Sequence, residues 1–131
     1  MLPSIRDLLG VGVADLKADR TLLGQLLETF VFQEIRRQAS WYERTLRLSH
    51  FRDRNGVEVD IIIELGATAV AGVEVKAAAT VTTKDFRGLK LLAAHLGKRF
   101  AAGIVLYDGE TVTSFGPGLY AVPIRALWEN I

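Results

Sequence analysis

The sequence predicts a mixed α/β domain whose elements follow the order helix, three strands, helix, strand and strand. An amphipathic helical pattern comes first, and three segments of strand-like alternation separated by turn signals follow it. A second helical pattern then lies between two further strand-like runs, which favours a parallel crossover added to an antiparallel sheet. We therefore expect a mixed central sheet flanked by helices.

Length and composition fit a single globular domain. The chain has 131 residues, of which 50% are hydrophobic and 24% charged, with a formal net charge of +1. Cysteine is absent, which excludes disulfides and thiolate metal sites and suits the cytoplasm. No stretch approaches the roughly 20 apolar residues that a membrane-spanning helix needs. We expect a cytoplasmic protein with a hydrophobic core.

Residues 1–20 read as a lead-in segment, because Pro3 and two glycines prevent one long helix. The domain proper is predicted to span residues 21–131. Its first helix runs from Thr21 to about Ser40, and its apolar stripe has the three- and four-residue spacing of a helix. The stripe consists of Leu23, Leu26, Leu27, Phe30, Val31 and Ile35.

The remaining elements follow from turn and capping signals. The segment "TLRLSHFRDR" alternates as a strand does, and Asn55-Gly56 after it is a strong hairpin signal. Predicted strands at 57–65 and 69–76 come next, and then a helix capped by Thr82 or Thr83 and ended by Gly97. Further strands are predicted at "FAAGIVLY" and "TVTSF", with a loop and a short helix closing the chain.

Positive charge is concentrated in two segments. Residues 36–54 hold six arginines against two acidic residues, a net of +4, and residues 82–99 hold five cations against one aspartate, again +4. Such segments can form a surface that faces phosphate groups, which makes DNA an expected partner. They can equally be ordinary solvated faces.

The hairpin "VEVDIIIELGATAVAGVEVKAAA" buries charges inside two apolar runs. A three-residue connection would place Leu65 opposite Ala69, and continuing this register places Val59 opposite Val75 and Asp60 opposite Glu74. One face of the hairpin would then be apolar throughout. A slip by one residue would move the apolar set to the other face, so the pattern fixes the register.

The predicted pairing of Asp60 with Glu74 suggests a metal site. Two carboxylates about 5 Å apart repel each other unless a cation lies between them. Mg²⁺ prefers oxygen ligands and keeps several waters, so two carboxylates suffice to hold it. Lys76 points to the same face and could orient an attacking water or neutralise developing charge. Alternatively, Lys76 forms a plain cross-strand ion pair with Glu58.

These residues resemble the PD-(D/E)XK nuclease superfamily, which has the restriction-endonuclease-like fold. Asp60, followed after thirteen residues by Glu74-Val75-Lys76 on the next strand, is similar to that signature, and the predicted order matches its core, α-β-β-β-α-β. More narrowly, "LLGQLLETFVFQEIRRQASW", "HFRDRNGVEVDIIIE" and "VEVKAAATVTTKDFRGLKLLAAHLGKRF" look like a domain of unknown function at the C-terminus of many prokaryotic AAA-type ATPases.

The resemblance implies roles for particular residues. Asp60 and Glu74 would bind Mg²⁺ or Mn²⁺, with the Val75 carbonyl as a further ligand, and Lys76 would position the nucleophilic water. The superfamily's first-helix glutamate maps to Glu28. Glu34 is the second choice, since periodicity places it within the apolar stripe.

Two functions remain open at this point. The first is a metal-dependent nuclease-like domain that hydrolyses DNA phosphodiester bonds, and the second is a non-catalytic nucleic-acid- or protein-binding module with a vestigial site. The resemblance implies association with an ATPase domain, although the chain has no G-x-x-x-x-G-K-[ST] phosphate-binding loop. A homodimer is a further expected assembly. His50 can lie near the site, but a histidine at a strand end is more often structural.

Overall fold

A computed structural model of the protein describes residues 20–42 and 44–129. The predicted lead-in lies outside the described residues except for Arg20, which begins the first helix. The helices are α1 (Arg20–Ala39) and α2 (Arg87–Leu96), with 3₁₀ turns at Thr83–Phe86, Gly97–Arg99 and Ile124–Leu127. The strands are β1 (Leu46–Arg52), β2 (Glu58–Leu65), β3 (Ala69–Lys76), β4 (Phe100–Tyr107), β5 (Thr113–Gly116) and β6 (Leu119–Pro123).

The strands form one six-stranded mixed sheet in the order β1-β2-β3-β4-β6-β5. The first three strands pair antiparallel, and β4 lies parallel to both β3 and β6. The edge strand β5 pairs antiparallel with β6. The predicted α/β class is confirmed, as is the core order of helix, three strands, helix and strand.

The two helices cover opposite faces of the sheet, so the protein has a hydrophobic cluster on each side. The cluster under α1 contains Leu27, Val31, Ile61, Val73, Leu106 and Ile124. The cluster under α2 contains Val59, Ile62, Val70, Phe86, Leu89, Leu92, Val105, Tyr107, Leu119 and Ala121. Within the described part of the chain, neither helix is long and apolar enough to cross a membrane.

The predicted register of the β2–β3 hairpin is confirmed over five residue pairs. Leu65 lies opposite Ala69, and the pairing continues to Ile61 opposite Val73. The three-residue connection is closed by a hydrogen bond of 3.3 Å from the Thr68 N–H to the Leu65 carbonyl oxygen. Gly66 takes a φ of 57° in this turn, a conformation that glycine adopts without steric penalty.

The predicted position of Val59 is wrong, because β2 contains a β-bulge. Ser49 of β1 pairs with Ile62, whereas Phe51 pairs with Val59. Two residues of β2, Asp60 and Ile61, therefore lie opposite one residue of β1, and the extra residue reverses the alternation. Val59 consequently packs under α2, and no longer shares a face with Ile61.

The C-terminal region differs from the prediction in one element. Residues expected to form a loop contain β6, which lies between β4 and β5. The sequence did not predict this five-residue strand, because Gly116-Pro117-Gly118 precedes it and Pro123 ends it. Glycine and proline usually interrupt strands. The short closing helix is confirmed as a 3₁₀ turn at Ile124–Leu127. Of the two predicted capping residues, Thr82 is the N-cap. It caps the 3₁₀ turn Thr83–Phe86, which leads directly into α2.

Gly88 brings α2 into close contact with β2, which gives a prediction for stability. A Cβ atom at Gly88 would overlap the carbonyl oxygen of Glu58, a backbone atom that cannot rotate away. Gly88→Ala should therefore lower the free energy of unfolding by about 1–3 kcal/mol in urea denaturation.

Gly24 of α1 supplies the matched control, because nothing lies within 4 Å of the position that its Cβ would occupy. Gly24→Ala should raise the free energy of unfolding by about 0.5–1 kcal/mol, the usual gain in a helix interior. Equal effects of the two substitutions would contradict the close packing of α2 on β2.

Candidate functional site

Asp60 and Glu74 meet where β2 and β3 stop pairing. The backbone pairing of the two strands ends at Ile61 and Val73, and past this point the strands are joined by hydrogen bonds between side chains and backbone. A carboxylate oxygen of Asp60 accepts a hydrogen bond of 2.8 Å from the Val75 N–H, and Glu74 accepts one of 3.2 Å from the Asp60 N–H. Each carboxylate is thus held by the backbone of the opposite strand. The bulge in β2 produces this arrangement, since it turns Asp60 out of the regular ladder.

The two carboxyl groups lie close to each other, and each shifts the pKa of the other. Burial raises the pKa of Asp60, although the hydrogen bond from the Val75 N–H opposes this rise. Burial, followed by the negative charge of Asp60, raises the pKa of Glu74 to about 8. Near neutral pH the pair therefore retains a proton that two isolated carboxyl groups would release.

The chemistry of this donor set fits a divalent cation. One oxygen of each carboxylate accepts a hydrogen bond from a backbone N–H, which leaves the other oxygen for a proton or for a metal ion that replaces it. In a β-strand the N–H and the carbonyl of one residue point toward the same neighbouring strand. Because the Val75 N–H donates to Asp60 of β2, the Val75 carbonyl also faces β2. Within the described ranges, no group of three or more His, Cys, Asp or Glu side chains is arranged to hold a metal. A cation would therefore depend on Asp60, Glu74, the Val75 carbonyl and water.

Lys76 lies two positions beyond Glu74 on β3 and binds Asp85. The distance between the Lys76 Nζ and Asp85 Oδ2 atoms is 2.6 Å. The same Asp85 oxygen accepts a hydrogen bond of 2.8 Å from the Thr82 N–H at the start of the 3₁₀ turn. The predicted alternative partner, Glu58, instead pairs with Arg52. Lys76 is thus fixed by the segment that leads into α2, and the cross-strand pair with Glu58 is wrong.

The Asp85 carboxylate is ionised over a wide pH range. Its burial raises its pKa, but the hydrogen bonds from Lys76 and the Thr82 N–H outweigh burial and lower it overall. Both side chains are about one-quarter to one-third exposed, so the pair is partly screened by water. Sequence reasoning missed Asp85. The only sequence pattern that includes Asp85 is the T-x-x-D spacing of a capping box. That pattern predicts the start of a helix, but it does not predict that Asp85 binds Lys76.

Glu28 approaches the site from α1. A cleft of about 390 Å³ between α1 and β1 is lined by Glu28, Asp60 and His50, with the apolar side chains of Phe32 and Leu48 beside them. Partial burial raises the pKa of Glu28, and the charges of Asp60 and Glu58 raise it further, whereas His50 lowers it. The structure therefore places Glu28 beside Asp60, and the charge of Glu28 also raises the pKa of Glu74.

Glu34 is buried at 3% exposure but belongs to a different network. Its carboxylate lies 2.6 Å from Arg37 Nη2 and accepts a hydrogen bond of 2.9 Å from Gln38. The hydrogen bond from Arg37 lowers the pKa of Glu34 and outweighs its burial. Periodicity predicted its burial correctly. Its partners, Arg37 and Gln38, lie three and four residues along the same helix. They satisfy the charge of Glu34, which therefore makes no contact with Asp60 or Glu74 in this network.

Comparison with known proteins gives one match. The family model with the description Domain of unknown function (DUF4143) matches residues 23–127. That stretch contains α1 from Leu23 onward, all six strands and α2. No curated protein and no solved structure gives a match. Because the family model covers most of the sequence, the chain belongs to the Domain of unknown function (DUF4143) family.

Proposed function

We propose that the chain is a metal-dependent nuclease-like domain of the PD-(D/E)XK superfamily that hydrolyses DNA phosphodiester bonds. The observation that supports this most is the placement of Asp60 and Glu74 at the open end of the hairpin. Both have raised carboxyl pKa values, and Glu28 lies in the adjoining cleft. Groups whose pKa values are perturbed by burial and by one another occur preferentially at functional sites.

The chain's own residues divide the work in this proposal. Asp60, Glu74 and the Val75 carbonyl would hold Mg²⁺ or Mn²⁺, which supplies a Lewis acid for the phosphate and lowers the pKa of a bound water. Lys76 follows Glu74 on the same face, roughly 7 Å along the strand, and would donate a hydrogen bond to the water or the phosphate. Glu28 would accept a proton from water in the cleft, a task for which a raised carboxyl pKa is suited.

The partners proposed for the domain are inferred from its positive charge and from its resemblance to domains found in ATPases. DNA is the expected substrate, because six arginines lie between residues 36 and 54. Similarity to domains at the C-terminus of AAA-type ATPases suggests that an ATPase domain, in the same protein or a partner, delivers or moves the DNA.

A second function is favoured by a different observation. Asp60 and Glu74 are satisfied by backbone N–H groups, and Lys76 is satisfied by Asp85, all without a metal. A binding module with a vestigial site would look the same in these contacts. It would hold nucleic acid or protein without cleaving anything.

Incubation with labelled single-stranded, duplex and branched DNA distinguishes the two functions. The nuclease proposal expects cleavage in Mg²⁺ or Mn²⁺, none in a chelator, and none by Asp60→Asn. The side-chain amide oxygen that this substitution introduces can still accept the hydrogen bond from Val75, so the fold should persist. DNA that binds but stays intact with every metal and every substrate would favour the binding module.

A further inference from the structure

A groove between α1 and β1 connects the carboxylate pair to a basic and aromatic surface. The cleft that contains Glu28 and Asp60 is bordered by Phe32 and Leu48. A second cleft of about 560 Å³ is bordered by the same Phe32 and Leu48. The two clefts therefore lie side by side along β1, the edge strand of the sheet, and Phe32 and Leu48 form a wall common to both. We refer to the two adjacent clefts together as the groove.

The far end of this groove is positively charged. Arg36, from the last turns of α1, and Arg44, just before β1, line the second cleft, and both are exposed. Neither forms an ion pair with another residue in the described part of the chain. By contrast, the adjacent Arg37 is tied to Glu34 and lies over the Trp41 ring at 4.9 Å. Arg36 and Arg44 are therefore free to bind an anionic ligand.

Tyr42 adds an aromatic surface next to these arginines. It lines the second cleft and is 54% exposed, so that its ring is open to solvent. An exposed ring beside cations is the arrangement on which unpaired bases stack, while the cations contact the phosphates. A base within a duplex is already stacked on both sides and offers no free face.

The dimensions suit a short stretch of nucleic acid. Arg36 lies eight residues after Glu28 on α1, which corresponds to about 12 Å along the helix. A single strand therefore needs only a few nucleotides to span this distance. A strand that contacts Arg36 and Arg44 can therefore reach Asp60 without a gap.

We propose that the groove binds a single strand of nucleic acid, with its phosphates on Arg36 and Arg44, an unpaired base on Tyr42 and one phosphate at the carboxylate pair. The position of the last phosphate depends on the proposed nuclease function. The binding of the strand by the basic end does not depend on it.

Fluorescence anisotropy with a labelled oligothymidine in a chelator tests the groove. Arg36→Ala/Arg44→Ala should bind more weakly and should flatten the dependence of log affinity on log salt by about 1.4, since each lost contact to a single strand removes about 0.7. Tyr42→Ala should weaken binding at least about fivefold, whereas Tyr42→Phe keeps the ring and the affinity. A hairpin duplex should bind more weakly than the single strand.

Lys84→Ala/Lys90→Ala is the comparison variant, because it removes two exposed cations from the second basic segment, outside the groove, and so tests which of the two basic segments binds the strand. Its affinity should remain close to that of the natural protein, and melting curves should show that all variants are folded. Equal losses in the two double variants, or a duplex bound better than the single strand, would overturn the proposal.

The groove and the nuclease can fail separately. Asp60→Asn should still bind the oligothymidine in a chelator, because Arg36, Arg44 and Tyr42 are unchanged. If this variant and the natural protein both bind DNA but neither responds to metal, the groove stands and the nuclease proposal fails. If Arg36→Ala/Arg44→Ala cleaves and binds DNA as well as the natural protein, the groove proposal fails and the nuclease stands.

Discussion

The melting temperature of the natural protein should rise in millimolar Mg²⁺ or Mn²⁺, and Asp60→Asn should lose this response. In the metal-free protein Asp60 and Glu74 face each other at a half-buried position, which is unfavourable once both are ionised. A ligand that binds only the folded state at about a hundredfold excess over its Kd adds about 2.7 kcal/mol. For a domain of this size that corresponds to a rise of roughly 10 °C.

The metal-free protein should also lose stability as the pH rises. The pKa of Glu74 is raised from 4.5 to about 8 on folding. Between these values the folded state binds more protons than the unfolded chain, so the free energy of unfolding falls with pH, by at most about 1.4 kcal/mol per pH unit. The stabilisation is complete below the unfolded pKa and is lost as the pH passes the folded one. A metal competes with this proton, so its effect should be larger near pH 8 than near pH 6.

Asp60→Asn separates charge from structure. The amide oxygen of the new side chain can accept the hydrogen bond from the Val75 N–H, while the charge beside Glu74 disappears. Without metal this variant should be as stable as the natural protein or more stable, and its stability should vary less with pH. Thermal melting with and without a chelator at several pH values provides the measurement. Indifference of the natural protein to both metals, together with a destabilised Asp60→Asn, would show that the carboxylates are purely structural.

Lys76→Ala should reduce DNA cleavage by about 10²–10³-fold, the usual loss when one donor to a transition state is removed. The metal-dependent rise in melting temperature should remain, since Lys76 is not a metal ligand. Loss of the partly exposed pair with Asp85 should lower the free energy of unfolding by no more than about 1 kcal/mol. Lys84→Ala is the matched control, because Lys84 is an exposed cation one residue before Asp85. Cleavage rates under single-turnover conditions provide the measurement. Equal rates for Lys76→Ala and the natural protein would remove Lys76 from the proposed mechanism.

Local pattern was sufficient to predict the hairpin that holds the site. The period of two in β2 and β3, with the three-residue turn after Leu65, allows only one register that keeps the apolar side chains together. The same reasoning failed at Val59. The bulge depends on how β1 pairs with β2, where Asp60 and Ile61 both lie opposite His50. The sequence of the β2–β3 hairpin alone contains no pattern that predicts this.

The site residues were predictable to different degrees. Asp60 and Glu74 followed from the register, whereas Glu28 followed only from family resemblance, because an exposed helical glutamate has no distinctive local pattern. Periodicity correctly predicted the burial of Glu34, but burial alone does not reveal what a carboxylate binds. The contact between Lys76 and Asp85 joins a strand to the start of the next helix, and such tertiary pairs are not encoded in spacing.

The late position of β6 in the chain has a consequence for the order of folding. β4 has β6 as its outer neighbour, and β5 has no partner in the sheet other than β6. As the chain emerges from the ribosome, β1 to β4 can pair, but the outer edge of β4 stays open until Pro123 has been made. An unpaired apolar edge is where chains associate wrongly. The insertion of β6 therefore closes the open edge of β4, and it sets the end of the interval in which the nascent domain is exposed to aggregation.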